Sequence, residues 1–230
     1  MRANTPIAEN IAEVRARIRQ AAQGCLRDPA GISLLAVSKT QPAAAIRTAC
    51  AAGIVNFGEN YLQEALEKQA QLRDLPLCWH FVGQLQSNKT RAAAESFDWV
   101  HSVDRLKTAH RLSAQRPRRL TPLAVCIQVN ISADKTRHGV HLTALPALAD
   151  SIAALPRLEL RGLMAIPRAD DAQPQQRFTY ARLRQALLEL QSRHPQMDTL
   201  SMGMSADLET AIGEGATILR LGTAIFGPRK

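Results

Sequence analysis

Short apolar runs alternate along the chain with longer stretches in which apolar residues are spaced three and four apart. Ile7, Ile11, Val14 and Ile18 follow that spacing with charged residues between them, which predicts a leading amphipathic helix over residues 5–23. After the Asp28-Pro29 break, residues 32–37 are rich in branched apolar side chains, as a strand is, and Pro42 then opens an Ala-rich helical stretch. The strand, loop, helix unit repeats: 54–57 precede a helix over 61–72, 78–82 precede 89–95, and 99–103 precede 105–114. Residues 123–129 are apolar almost throughout, the mark of a strand covered on both faces, and lead into a helix over 142–154. Strands over 158–166, 199–202 and 216–221 complete the series, with helices over 175–193 and 206–213 between them.

Eight evenly spaced units without a linker or a shift in composition predict one α/β domain over residues 1–230. Its expected architecture is a (β/α)8 TIM-type barrel with an extra N-terminal helix. A doubly wound open sheet is the alternative the same pattern permits.

Composition narrows the class. With 230 residues, 46% of them hydrophobic, the chain is long enough to bury a core without disulfides or a structural metal. Cys25, Cys50, Cys78 and Cys126 stand far apart with no CxxC and no adjacent His pair, so they read as free thiols and no metal site is expected. No apolar run approaches the ~18 residues of a membrane span. The N-terminal residues mix Glu with Arg and lack the apolar segment of a secretory signal, so a cytoplasmic location is expected. The net charge of +9 comes mostly from scattered Arg, and aromatics are only 4% of the chain. That is the pattern of a solvated surface and argues against a nucleic-acid partner. A small phosphate-bearing ligand suits such a charge equally well.

In a barrel, chemistry gathers in the loops that follow the strands. Lys39 directly follows the first strand, where a packed stem and a partly desolvated amine favour a nucleophile; a snorkelling surface lysine is the alternative. Ser201 to Ser205 and Gly222-Thr223 follow the seventh and eighth strands, where backbone N–H groups and hydroxyls can surround a phosphate; ordinary helix caps are the alternative. Arg220 ends the last strand and needs an acceptor, either a carboxylate such as Asp207 or a ring nitrogen of a bound cofactor. Asn60 and Met164 are placed to bracket a planar ligand, with core filling equally open for Met164. His80, Asn88 and Lys89 form a polar group around the third strand in which no catalytic order is apparent.

The segments LLAVSKTQP, NFGENYLQEAL, WHFVGQLQSNK, VHSVD, VCIQVNIS, RGLMAIP, LSMGMSADLETAIGEGAT and LRLGTAIFG closely resemble the pyridoxal 5'-phosphate homeostasis proteins, themselves similar to the N-terminal barrel of alanine racemase. The resemblance runs from about residue 31 to the end of the chain. It implies a fold-type III barrel that holds pyridoxal 5'-phosphate as a Schiff base on Lys39. It further implies Asn60 and Met164 beside the ring, Arg220 facing the pyridine nitrogen, and Ser201, Ser205, Gly222 and Thr223 at the phosphate. One departure stands out: the family's usual Lys-Ser-Gly after the fifth strand is Arg137-His138-Gly139, which keeps charge and loses amine chemistry.

The resemblance implies a carrier that buffers the cofactor and delivers it to apoenzymes without catalytic turnover. The alternative is a pyridoxal-phosphate-dependent amino-acid racemase. Two observations weigh against it: the racemase's catalytic Tyr comes with a further β domain and a dimer partner, and Tyr61 and Tyr180 both read as helix residues. A monomer is expected on the same ground.

Overall fold

The computed structural model describes residues 6–131, 137–167 and 171–228. The apolar runs become strands β1 (Ser33–Val37), β2 (Asn56–Glu59), β3 (Cys78–Phe81), β4 (Trp99–Val103), β5 (Leu123–Asn130), β6 (Val140–His141), β7 (Leu158–Met164), β8 (Thr199–Ser201) and β9 (Ile218–Leu221). Their order is β4-β3-β2-β1-β9-β8-β7-β5, every neighbouring pair is parallel, and β4 also pairs with β5. That last pairing closes the sheet into an eight-stranded barrel and excludes the open doubly wound arrangement. β6 is a two-residue ribbon beside the end of β5, too short to leave an alternation in the sequence.

Strand alternation sorts the side chains. Leu34 and Ala36 of β1, Trp79 and Phe81 of β3, and Leu219 and Leu221 of β9 pack outward into the main apolar core beneath the helices. Leu35, Val82 and Ile218, with Trp99, form a separate small apolar cluster, and His80, His101, Ser201 and Arg220 are buried on the same alternation. The strands are thus sheathed in hydrocarbon outside and unusually polar within.

Most boundaries shift by one to three residues from the sequence reading, and two of the shifts have a clear physical cause. β2 covers 56–59 instead of 54–57, because pairing with β3 aligns Asn56 to Glu59 with Cys78 to Phe81 and overrides the local apolar signal. β7 stops at Met164, ahead of Pro167, which has no N–H to extend a ladder.

The helices are α1 (Ile7–Gly24), α2 (Ala43–Ala51), α3 (Leu62–Gln71), α4 (Thr90–Ser96), α5 (Leu106–Gln115), α6 (Leu145–Ala153), α7 (Gln173–Gln191), α8 (Leu208–Gly213) and α9 (Thr223–Phe226). α1 buries Ile11, Val14, Ile18 and Ala22 against the outer layer, each large side chain contributing about 1.5–3 kcal/mol. Polar contacts fix its place beside the last strands: Asn10 Nδ2 donates to the Ile225 carbonyl at 2.9 Å, and Arg17 pairs with Glu209 at 2.8 Å. Just beyond the helix, Arg27 donates to the carbonyls of Ile212 and Ala216.

Candidate functional site

The mouth of the barrel holds a cavity of about 290 Å³ between the segments after β1, β2, β8 and β9. Lys39, Asn60, Ser205, Arg220, Gly222 and Thr223, six of the eight residues singled out from the sequence, line it.

A buried ionic cluster holds the segment that carries Lys39. Ser38 is fully buried; its hydroxyl donates to Glu59 Oε1 at 2.6 Å, and its carbonyl accepts from Lys68 Nζ at 2.7 Å. Lys68 Nζ also reaches Glu59 Oε1 at 2.8 Å and Glu64 Oε1 at 2.6 Å. On the other side of Lys39, the Thr40 amide donates to Glu64 Oε1 at 2.5 Å. Thr40 has φ of 65°, a left-handed conformation that a β-branched residue adopts only when its surroundings impose it. Burial pushes the Glu59 carboxyl above the ordinary range, while the bonds from Lys68 and Ser38 pull it back down.

The far wall is made for close approach. A Cβ on Gly222 would lie 3.2 Å from the Val37 carbonyl oxygen. Behind Asn60, a Cβ on Gly83 would fall 2.2 Å from the Asn60 carbonyl oxygen, so only glycine lets the two strand ends meet. Asn60 Oδ1 is buried with no hydrogen-bond partner among the described residues, on a residue that lines the cavity. The Ser205 hydroxyl accepts from Thr223 Oγ1 at 3.2 Å and from the Ala224 amide at 3.3 Å, which ties the loop after β8 to the start of α9.

Arg220 forms part of the floor. Its guanidinium donates to the Ser201 carbonyl, to Ser201 Oγ at 2.9 Å and to the Ala165 carbonyl at 2.9 Å. It has no ion pair with Asp207, whose carboxylate instead accepts from Tyr180 Oη at 2.7 Å and from the Met204 amide at 2.5 Å. Burial lowers the Arg220 pKa from the usual arginine value.

Two expected site residues fall elsewhere. Ser201 is fully buried and absent from the cavity wall; its hydroxyl is engaged by Arg220 and by His101 Nδ1 at 2.7 Å, so in this structure it supports the arginine. Met164 is also fully buried inside the end of β7, and Ile166, two residues further on, is the side chain that reaches the cavity. The polar group proposed around the third strand is not formed: His80 lies inside the barrel, whereas Asn88 and Lys89 are exposed on a single helical turn. Tyr180 is buried on α7, where burial and Asp207 raise its pKa, and Tyr61 is 58% exposed; neither lines the cavity.

Sequence reasoning gave no role to Glu59 or His101, though both stand among the polar residues at strand ends, and missed Lys68. Lys68 did leave a signal, since it shares the buried stripe of α3 with Leu62 and Ala65, and a lysine on an apolar stripe needs a buried partner. Arg137, in the departure after the fifth strand, lines a neighbouring cavity of about 260 Å³ with His138 and donates to the Ile166 carbonyl at 3.1 Å. Ser132 lies outside the described residues. Among the described residues no cluster of His, Cys, Asp and Glu could hold a metal, the four cysteines are free thiols, and no helix is long and apolar enough to cross a membrane.

The sequence matches the alanine racemase N-terminal domain family over residues 8–230. It is 63% identical over 223 residues to the pyridoxal phosphate homeostasis protein of Pseudomonas aeruginosa, covering 97% of this chain and 96% of the relative. Identity to the protein of that name from Escherichia coli K12 is 52% over 227 residues, with 97% of each chain covered. The solved structure of PipY from Synechococcus elongatus with PLP bound superposes with a TM-score of 0.86 at 42% identity, covering 96% of this chain and all of that one. Alanine racemase from Corynebacterium glutamicum, at 20% identity and a TM-score of 0.71, covers 97% of this chain and 61% of its own, and shares the fold.

Proposed function

Because the chain belongs to the alanine racemase N-terminal domain family, and within it to the pyridoxal phosphate homeostasis proteins, we propose that it binds pyridoxal 5'-phosphate in the mouth of its barrel and serves as a reversible carrier of that cofactor. The observation that carries this reading is the convergence in one cavity of a lysine, a buried acceptor without a partner, a buried arginine and two hydroxyls. When bound, the cofactor supplies an aldehyde, which condenses with a primary amine to a Schiff base and releases one water. Lys39 is the amine in this assignment, Ser205 and Thr223 with the neighbouring backbone amides hold the phosphate, and Gly222 leaves room for it. Arg220 offers a permanently charged donor to the pyridine nitrogen, which keeps that nitrogen unprotonated and weakens the ring as an electron sink.

The same wall supports a carrier over a catalyst. Lys39 and Arg220 are the ionisable groups among the described residues lining the cavity, so no second acid or base stands ready on the other side of a bound ring. Both tyrosines lie elsewhere. The cofactor would pass from this open mouth to apoenzymes.

Adding pyridoxal phosphate to the purified protein, reducing with borohydride and mapping the adduct by peptide mass spectrometry tests the assignment. A single adduct on Lys39, absent from Lys39→Ala, is expected; scattered adducts or none would overturn it. Chiral chromatography after incubation with L-amino acids should find no D-isomer formed, and steady D-isomer production would establish the racemase reading instead.

A further inference from the structure

Beneath the cavity runs a buried row of polar side chains. From Arg220 it passes to Ser201 Oγ at 2.9 Å and then to His101 Nδ1 at 2.7 Å. His101 Nε2 lies 2.9 Å from His80 Nδ1, and His80 Nε2 lies 3.2 Å from Asn56 Oδ1 and 3.3 Å from Cys78 Sγ. Both imidazoles are fully buried among groups that disfavour their charged forms. Burial pushes His80 down to about 3 and drives His101 well below the ordinary histidine value, with His80 and Arg220 adding to the effect on His101. Arg161, paired with Asp198 at 2.5 Å, stands over Trp99, which is itself stacked on His80.

The direction of every bond in this row follows from its two ends, a guanidinium that only donates and an Asn56 Oδ1 that only accepts. Asn56 Oδ1 takes a hydrogen from His80 Nε2, so neutral His80 is bare at Nδ1 and His101 carries its hydrogen on Nε2. Ser201 Oγ, which accepts from the guanidinium, gives its one hydrogen to His101 Nδ1. Reversing any single bond would set two hydrogens or two lone pairs face to face.

We infer that His101, acting through Ser201, is a positioning residue for Arg220: the one-way row holds the guanidinium against Ser201 and Ala165 and keeps two of its N–H groups for the cavity. Of the five N–H groups on an arginine, three are engaged by Ser201 and Ala165, and among the described residues nothing accepts from the other two. Without His101, Ser201 could turn its hydrogen elsewhere, and the guanidinium would lose the acceptor that sets its tilt.

This inference rests on the functional reading for the use of pyridoxal phosphate as a probe, and its first test needs no ligand. Nitrogen-15 spectra of the cofactor-free protein should show Nδ1 bare and Nε2 protonated on both histidines, unchanged between about pH 5.5 and 8.5. The Arg220 N–H protons should exchange with solvent about tenfold faster in His101→Leu and in Ser201→Ala. Ser201→Ala removes one hydroxyl and carries the test should His101→Leu fail to fold. With pyridoxal phosphate added, both variants should still be labelled at Lys39 by borohydride, with the visible absorption band displaced and Kd raised about tenfold. His101→Gln, which accepts through Oε1 and donates through Nε2, should restore the wild-type band. A proton on Nδ1 of either histidine, unchanged Arg220 exchange, or a wild-type band and Kd in His101→Leu would each overturn the proposal. Failure of the wild type to take up pyridoxal phosphate would instead overturn the functional reading and leave the ligand-free measurements to decide the row.

Discussion

Lys68→Met removes the centre of the ionic cluster beside Lys39 while nearly conserving volume. In the wild type, Lys68 Nζ makes three bonds of 2.6–2.8 Å, to Glu59, Glu64 and the Ser38 carbonyl. Glu59 is fully buried, and its Oε2 already has no hydrogen-bond partner among the described residues. The variant therefore strands a carboxylate that keeps a single bond, from Ser38. Breaking a buried pair from one side costs about 3–5 kcal/mol, which for a chain of this size corresponds to a drop in Tm of roughly 6–20 °C. The sign of the pH effect follows from Glu59. Its folded pKa lies above the ordinary carboxylate value and rises further without Lys68, so the folded variant takes up a proton more readily than the unfolded chain. The penalty is therefore full above the folded pKa and shrinks as pH falls toward the unfolded value of about 4.3. Urea unfolding followed by circular dichroism at about pH 8 and pH 5 measures both. A loss below about 1 kcal/mol, or the same loss at both pH values, would refute the claim that the carboxylate is stranded. Lys68→Met with Glu59→Gln should recover much of the stability.

Three further outcomes are expected. Gly83→Ala drives a methyl into the Asn60 backbone and should cost at least about 2 kcal/mol in denaturant unfolding together with loss of pyridoxal phosphate uptake; a neutral result would mean that the two strand ends are not in contact. Stability should fall on acidification below the unfolded histidine pKa of about 6.5, because the unfolded chain binds protons that the folded chain refuses; the slope from His80 alone is about 1.4 kcal/mol per pH unit down to its folded pKa of about 3, and a flat profile over that window would contradict burial of the histidines as neutral groups. Light scattering on a size-exclusion column should report 25.2 kDa, and a mass of about twice that would refute the expected monomer.

The barrel was legible because each strand and helix leaves its own period in the sequence, and eight repetitions make the topology hard to mistake. The mouth was legible for a related reason: Lys39, Arg220 and Gly222-Thr223 stand immediately after apolar runs, and a strand's end fixes which loop its residues join. The roles of Ser201 and Met164 were harder to read. Both end strands, and whether such a side chain reaches the cavity or stays beneath it depends on one residue of register. His101 had no visible role because its partners, His80 and Ser201, come from two other strands, and contacts across a barrel leave no periodicity in one dimension.

The leading helix has a consequence for how the molecule assembles. Asn10, Arg17 and Arg27 bond to residues 185 to 215 positions later in the chain, and β1 pairs with all of β9 from Ser33 to Ala36. The first strand is also the one that delivers Lys39, and the last delivers Arg220. During synthesis, therefore, the part of the leading helix that packs against α8 and α9 stays uncovered until the final βα units are made. Closing so long a loop is slow, because its entropy is lost before its contacts are gained. The barrel seam and the mouth therefore both need the last strand in place before they are complete.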